Sequence, residues 1–93
     1  MSYHKHAYYS DYCDRPSYVY RIYDVEGFLL YVGMALRPEN RIVRHRAKRW
    51  GHAIHRYTVE EFPNREAAKA AERSAIHHEY PLHNLSRPRM ECC

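Results

Sequence analysis

What the chain lacks already narrows its reading. Of its three cysteines, Cys13 lies in a polar stretch near the start, and Cys92 and Cys93 are adjacent at the end. Thiols so placed cannot staple a core between them, and no CxxC spacing suggests a zinc site, so a reducing, cytoplasmic setting is expected. No apolar run is long enough for a membrane span or a signal-peptide core, which points to a soluble chain without a membrane partner. There is no internal repeat and no low-complexity segment. Eight histidines are present, but His4 and His6 fall in the polar opening stretch and His77 and His78 point in different directions on a helix. Only His52 and His55 have i, i+3 spacing, where a helix is ending, so a histidine-built metal site is not expected.

What remains is one small basic domain. Ninety-three residues with a formal charge of +4 leave room for a small sheet and two or three helices. The cations are clustered, with Arg37, Arg41, Arg44, Arg46, Lys48, Arg49 and Arg56 inside twenty positions. Such a footprint suits phosphates.

Residues 1–16 are polar and end at Pro16, and they are expected to form a loose leader. Residues 18–23 and 28–32 are β-formers around the turn Asp24–Gly27, which predicts a hairpin. Counting outward from that turn pairs Tyr23 with Phe28 and places Tyr20 directly opposite Tyr31, two phenols on one face beside Gly33. Pro38 opens a helix running to about Trp50 and ended by Gly51. Val43, Ala47 and Trp50 are expected to face the core, and Arg41, Arg44, His45 and Lys48 to form a separate basic stripe. Residues 54–62 predict a third strand with Ile54, Tyr57, Val59 and Phe62 as its apolar members. Asn64 then caps a helix over 65–79 whose buried arc is Ala67, Ala68, Ala71, Ala75 and Ile76. Pro81 stops it, "PLHNLSRP" closes the domain as a loop or strand fragment, and 88–93 is expected to be a tail. The order β-β-α-β-α predicts an α+β domain with a small antiparallel three-stranded sheet flanked by helices.

Chemistry-bearing residues fall on this framework in an ordered way. A paired Tyr20 and Tyr31 has a bland reading as a packed aromatic pair. Arg41 and His45 lie one turn apart just after the hairpin, where a guanidinium fork can bind phosphate and an imidazole can pass a proton. Glu72 lies angularly between Ala68 and Ile76, toward the buried arc, where a carboxylate must find an ion-pair partner or a metal. Asn84 is a polar group in the closing segment, suited to satisfying a turn or supporting a site.

Taken together, these residues resemble the GIY-YIG nuclease family. "YVY" at 18–20 stands for the first triplet and "YVG" at 31–33 for the second. The helix arginine falls at Arg41 and a frequently paired histidine at His45, in "YVGMALRPENRIVRH". The glutamate falls at Glu72 in "AAERSAI", and the late asparagine at Asn84 in "YPLHN". The resemblance covers residues 17 to about 85 and makes 17–87 the expected nuclease domain. Tyr18 and Val19 replace the first triplet's glycine and isoleucine, which is expected to alter local packing and leave the chemistry intact. An additional DNA-recognition domain, carried by many relatives, is not expected in this chain.

The resemblance implies hydrolysis of DNA phosphodiesters with one divalent cation, Mg²⁺ or another such as Mn²⁺, held by Glu72. It further implies Tyr20 as general base, Arg41 as transition-state stabiliser, and Tyr31, His45 and Asn84 in support. Arg37, Arg44, Lys48 and Arg49 are expected to contact the nucleic-acid backbone. DNA is the expected partner, and a homodimer or a targeting protein stays open. The same residues also admit two other readings: a nucleic-acid-binding module that does not cut, and a structural or partner-binding protein whose tyrosines only pack.

Overall fold

The computed structural model describes residues 15–84. The expected leader and tail lie outside the described residues, apart from Arg15 and Pro16. A hairpin of β1 (Ser17–Tyr23) and β2 (Leu29–Ala35) is followed by helix α1 (Pro38–Arg46), a short 3-10 turn (Gly51–Ala53), strand β3 (Arg56–Phe62) and helix α2 (Arg65–Glu79). The three strands form one antiparallel sheet in the order β2-β1-β3. This is the α+β arrangement that the order of elements predicted.

The turn forms for a local reason. The Asp24 carboxylate accepts from the backbone N–H of Glu26 at 2.9 Å and of Phe28 at 2.8 Å, and Gly27 takes a φ of +89°, which side chains rarely adopt. Its outcome corrects the expected register. Tyr23 pairs with Leu29, Ile22 with Tyr31 and Tyr20 with Gly33, because Leu30 is an extra residue on β2. A bulge of this kind follows from packing, which counting across a turn does not reveal. Leu30 is buried in the core it creates. Tyr20 and Tyr31 therefore share a face diagonally and do not oppose each other.

Alternation along β1 divides the interior in two. Tyr20 and Ile22 pack with Leu30, Ile42 of α1 and Ile54. Val19, on the opposite face, packs with Val32 and with Ala68 and Ala75 of α2. The sheet thus lies between the two helices, and alanines let α2 approach it closely. Arg21, also on the α2 side, makes a bidentate pair with Glu79 at 2.9 Å for each bond.

The first helix departs from expectation twice. It ends at Arg46, and its buried stripe is Pro38, Ile42 and His45, the same i, i+4, i+7 rhythm begun at the proline. Val43 is 67% exposed, Ala47 is exposed and Trp50 is half-buried. His45 thus belongs to the inward face and not to the basic stripe. The third strand begins at Arg56, with Ile54 buried just ahead of it, while Tyr57 and Val59 remain 40% and 45% exposed at the edge of the sheet.

The second helix matches its prediction from cap to stop. Asn64 Oδ1 accepts from the Ala67 N–H at 2.8 Å, and Tyr80 leaves the helix in the left-handed region. The closing segment then runs beside β2. Leu82 and His83 donate their backbone N–H groups to the carbonyls of Leu29 and Leu30 at 3.1 and 2.8 Å. Asn84 continues the pairing with its side chain, accepting from Val32 N–H at 2.7 Å and donating to Val32 C=O at 3.1 Å.

Candidate active site

Tyr20 stands at the centre of β1 and is wholly buried. A methyl group on Gly33 would overlap the Tyr20 ring and hydroxyl, so the glycine opposite is what admits the phenol. The space at Gly33 is thus filled by Tyr20 itself.

The phenol reaches α1. Its hydroxyl lies 2.9 Å from Nε2 of His45, and burying both groups is tolerable because each supplies the other's hydrogen bond. The other ring nitrogen of His45, Nδ1, is buried without a hydrogen-bond partner. Aromatic rings close around this pair. Tyr31 lies 6.2 Å from the Tyr20 ring and 4.4 Å from His45, centroid to centroid. Trp50 packs 5.9 Å from Tyr31 and 5.4 Å from His45. His83 stacks on Trp50 at 4.3 Å, nearly parallel at 8°. A continuous ladder of rings thus runs from Tyr20 to the closing segment.

Burial sets the proton affinities of the pair apart. Desolvation raises the Tyr20 pKa well above the usual phenol value; Tyr31 and Glu72 raise it further, while Arg41 pulls it down by charge and by hydrogen bonding. Desolvation pushes His45 down to about 4, helped by Lys48, Arg41 and Arg44. At neutral pH the imidazole is therefore uncharged and the phenol protonated.

Glu72, half-buried on α2, has its carboxyl pKa raised by burial, against the opposing charges of Lys69, Arg73, Arg41 and Arg65. Its carboxyl acts electrostatically on Tyr20, which ties α2 to the phenol and to the α1 arginine. Among the described residues no three His, Cys, Asp or Glu side chains gather to hold a metal. A half-buried lone carboxylate fits a hard dication that keeps water and takes phosphate oxygens, as Mg²⁺ does; it does not fit an all-protein cage.

A cleft of about 470 Å³ opens where β1 begins and β2 ends, lined there by Ser17 and Met34. Arg37, Asn40, Arg41 and Arg44 line it from α1 and its approach, and Arg65 from the start of α2. Of the four expected backbone contacts, Arg37 and Arg44 are on this cleft. Lys48 and Arg49 lie beyond the end of α1 and do not line it. Asn84 is buried and bonded to the backbone of Val32, between Tyr31 and Gly33, so it braces the strand that carries Tyr31. Among the described residues no helix is long and apolar enough to cross a membrane.

Two participants were not anticipated as site residues. Arg65 precedes Glu72 by seven positions and so shares its side of α2, a spacing visible in the sequence. Trp50 was expected in the core, and nothing local marks its contacts with Tyr31 and His45.

A family model described as the GIY-YIG catalytic domain matches residues 16–85. No curated protein matches the chain.

Proposed function

The chain belongs to the GIY-YIG nuclease family, and from that premise we propose that it is a metal-dependent DNA endonuclease whose catalytic module spans 17–87. The observation that carries the proposal is the bond from Tyr20 to His45, with Arg41 of the cleft wall and the Glu72 carboxyl both acting on the same phenol.

Glu72 would hold Mg²⁺ or a similar divalent cation, with water and phosphate oxygens filling the remaining positions. When bound, the cation polarises the scissile phosphate and offsets charge on the leaving oxygen. Arg41, on the cleft wall and beside the Tyr20 hydroxyl, binds the phosphate and stabilises the charge that accumulates in the transition state. Tyr20 takes a proton from the attacking water on its phenolic oxygen while its own proton passes to Nε2 of His45. That transfer is uphill in the free protein, since the Tyr20 pKa is raised and that of His45 is near 4. DNA eases it: phosphates neutralise Lys48, Arg41 and Arg44, three cations that hold the imidazole's proton affinity down. Tyr31 and Trp50 keep the imidazole ring in register, and Asn84 holds the strand beneath Tyr31. Arg37 and Arg44 contact the nucleic-acid backbone from the cleft, and Lys48 and Arg49 from beyond the end of α1.

The test is cleavage of a panel of labelled duplex, nicked, flapped and branched DNAs with Mg²⁺ or Mn²⁺, using wild type and the Tyr20→Phe, Arg41→Ala and Glu72→Gln variants. Metal-dependent cleavage by the wild type, lost in each variant, is the expected result. A wild type that binds these DNAs and cuts none would instead make the chain a binding module.

A further inference from the structure

We propose that the outer edge of β3 pairs antiparallel with the same edge of a second copy, joining two three-stranded sheets into one about a two-fold axis through Thr58. The proposal rests on the fold and is independent of the endonuclease reading.

The two edges of the sheet are not alike. β2 is covered by the closing segment, whose Leu82, His83 and Asn84 bond to its backbone. Among the described residues no strand pairs with the far side of β3. Which groups that side presents follows from the ladder. Asn84 takes both the N–H and the C=O of Val32, so Val32 and the opposed Arg21 form a pair without mutual hydrogen bonds. Alternation then makes Arg21 and Thr58 a hydrogen-bonded pair, and turns the N–H and C=O groups of Tyr57, Val59 and Glu61 away from β1. Apolar surface lies on the same edge, with Tyr57 40% and Val59 45% exposed. The two line a groove of about 300 Å³ with Tyr18, Leu36, Pro38 and Glu39.

Charge selects a second copy as the occupant. Charged side chains ordinarily blunt an exposed edge and oppose its pairing. Here one register turns them into complements. A two-fold axis normal to the sheet opposes residues of the same face, and centring it on Thr58 sets Arg56 of each copy against Glu60 of the other. Tyr57 and Val59 then oppose each other and exchange backbone bonds, an aromatic beside a β-branched side chain. Sliding one copy by two residues leaves Arg56 and Glu60 facing uncharged side chains. Sliding it by four sets Glu60 or Arg56 against its own copy. Both charges are available. Among the described residues Arg56 has no ion-pair partner and packs over the Tyr23 ring at 4.2 Å. The Glu60 side chain is 60% exposed, 3.6 Å from an Arg21 that already holds both Glu79 oxygens. The axis places both α1 helices, and with them both Tyr20 phenols, on one face of the joined sheet. Two seven-residue strands bury little area, so the association is weak and needs high protein concentration to be measured.

Sedimentation equilibrium of the full chain tests this, comparing wild type, Arg56→Glu, Glu60→Arg and an equimolar mixture of the two variants, each verified as folded by circular dichroism. Each variant alone sets like charges together at both pairs and is expected to weaken dimerisation by at least about tenfold. The mixture restores opposite charges at both pairs and is expected to return to wild-type association. The register is read in a Cys13→Ser, Cys92→Ser, Cys93→Ser background. There Thr58→Cys, on the axis, is expected to form a disulfide-linked dimer under mild oxidation, and Glu61→Cys is not. A wild type that stays monomeric at millimolar concentration, a mixture no more associated than its parts, or Thr58→Cys linking no faster than Glu61→Cys would each overturn the proposal. Dimerisation only after deletion of residues 1–14 would also overturn it, and would assign the edge to the chain's own opening stretch.

Discussion

The Tyr20 hydroxyl lies 2.9 Å from Nε2 of His45, joining the middle of β1 to the buried face of α1 across 25 positions of sequence. The bond couples a phenol whose pKa burial raises to an imidazole whose pKa burial lowers. With no anion in the cleft the proton stays on the phenol. Arg41 and Arg44, which line the cleft, are among the charges that keep His45 neutral, so under the proposed function phosphate binding and proton acceptance would be linked electrostatically.

Titration of the His45 ring by NMR is expected to give a pKa of about 4, against its ordinary 6.5. Lys48→Ala and Arg44→Ala should each raise it, and so should an uncleavable oligonucleotide. A group with a lowered folded pKa stabilises the fold above its unfolded value and loses that contribution as pH falls through the folded one. Stability from His45 is therefore present above pH 6.5 and is lost on acidification toward pH 4. A titration near 6.5, unmoved by Lys48 or Arg44, would remove the proposed linkage.

Glu72 has the opposite sign. Burial raises its carboxyl pKa above the ordinary 4.5, so its contribution to stability is present below that value and is lost as pH rises through the folded pKa. Glu72→Gln removes a charge that the fold disfavours at neutral pH. The variant is expected to melt above wild type at pH 7 while losing metal-dependent cleavage by at least about 100-fold, the scale of removing one transition-state electrostatic partner. Differential scanning fluorimetry and a nicking assay on one preparation measure both. A variant that is less stable and fully active would contradict the role given to this carboxylate.

Asn84 makes two bonds to the backbone of Val32, at 2.7 and 3.1 Å. Asn84→Ala leaves a buried N–H and C=O of β2 without partners, and is expected to destabilise the domain by about 2–3 kcal/mol in urea unfolding. Asn84→Asp keeps only the accepting bond and should also destabilise. Activity should fall with the folded fraction and with the placement of Tyr31. Unchanged stability would show that the closing segment does not brace the strand.

Much of the fold was legible because its signals are local. The Asp24–Gly27 turn, the Asn64 cap and the alanine arc of α2 each state their structure within a few residues. The bulge at Leu30 does not, since it forms to bury a side chain beneath elements distant in sequence, and it moved Tyr20 from opposite Tyr31 to opposite Gly33. His45 misled for a related reason. A histidine among arginines looks solvent-facing, and its bond to Tyr20 with the rings of Tyr31 and Trp50 around it accounts for its place on the buried stripe. At the site, Tyr20, Tyr31 and His45 were named from the sequence and do lie in mutual ring contact. Arg65 shares the Glu72 side of α2 by a spacing legible in the sequence, whereas Trp50 belongs to a ring stack assembled from separate elements, which spacing along one element cannot reveal.

The central claim is that Tyr20 and Glu72, from β1 and α2, serve one chemical step. It is tested most directly by single-turnover cleavage with saturating DNA and Mg²⁺ for wild type, Tyr20→Phe, Glu72→Gln and the double variant. Residues acting as a unit are non-additive, so the double variant is expected to be no slower than the slower single one. Rate losses that multiply, or singles that cut as fast as wild type, would contradict the account.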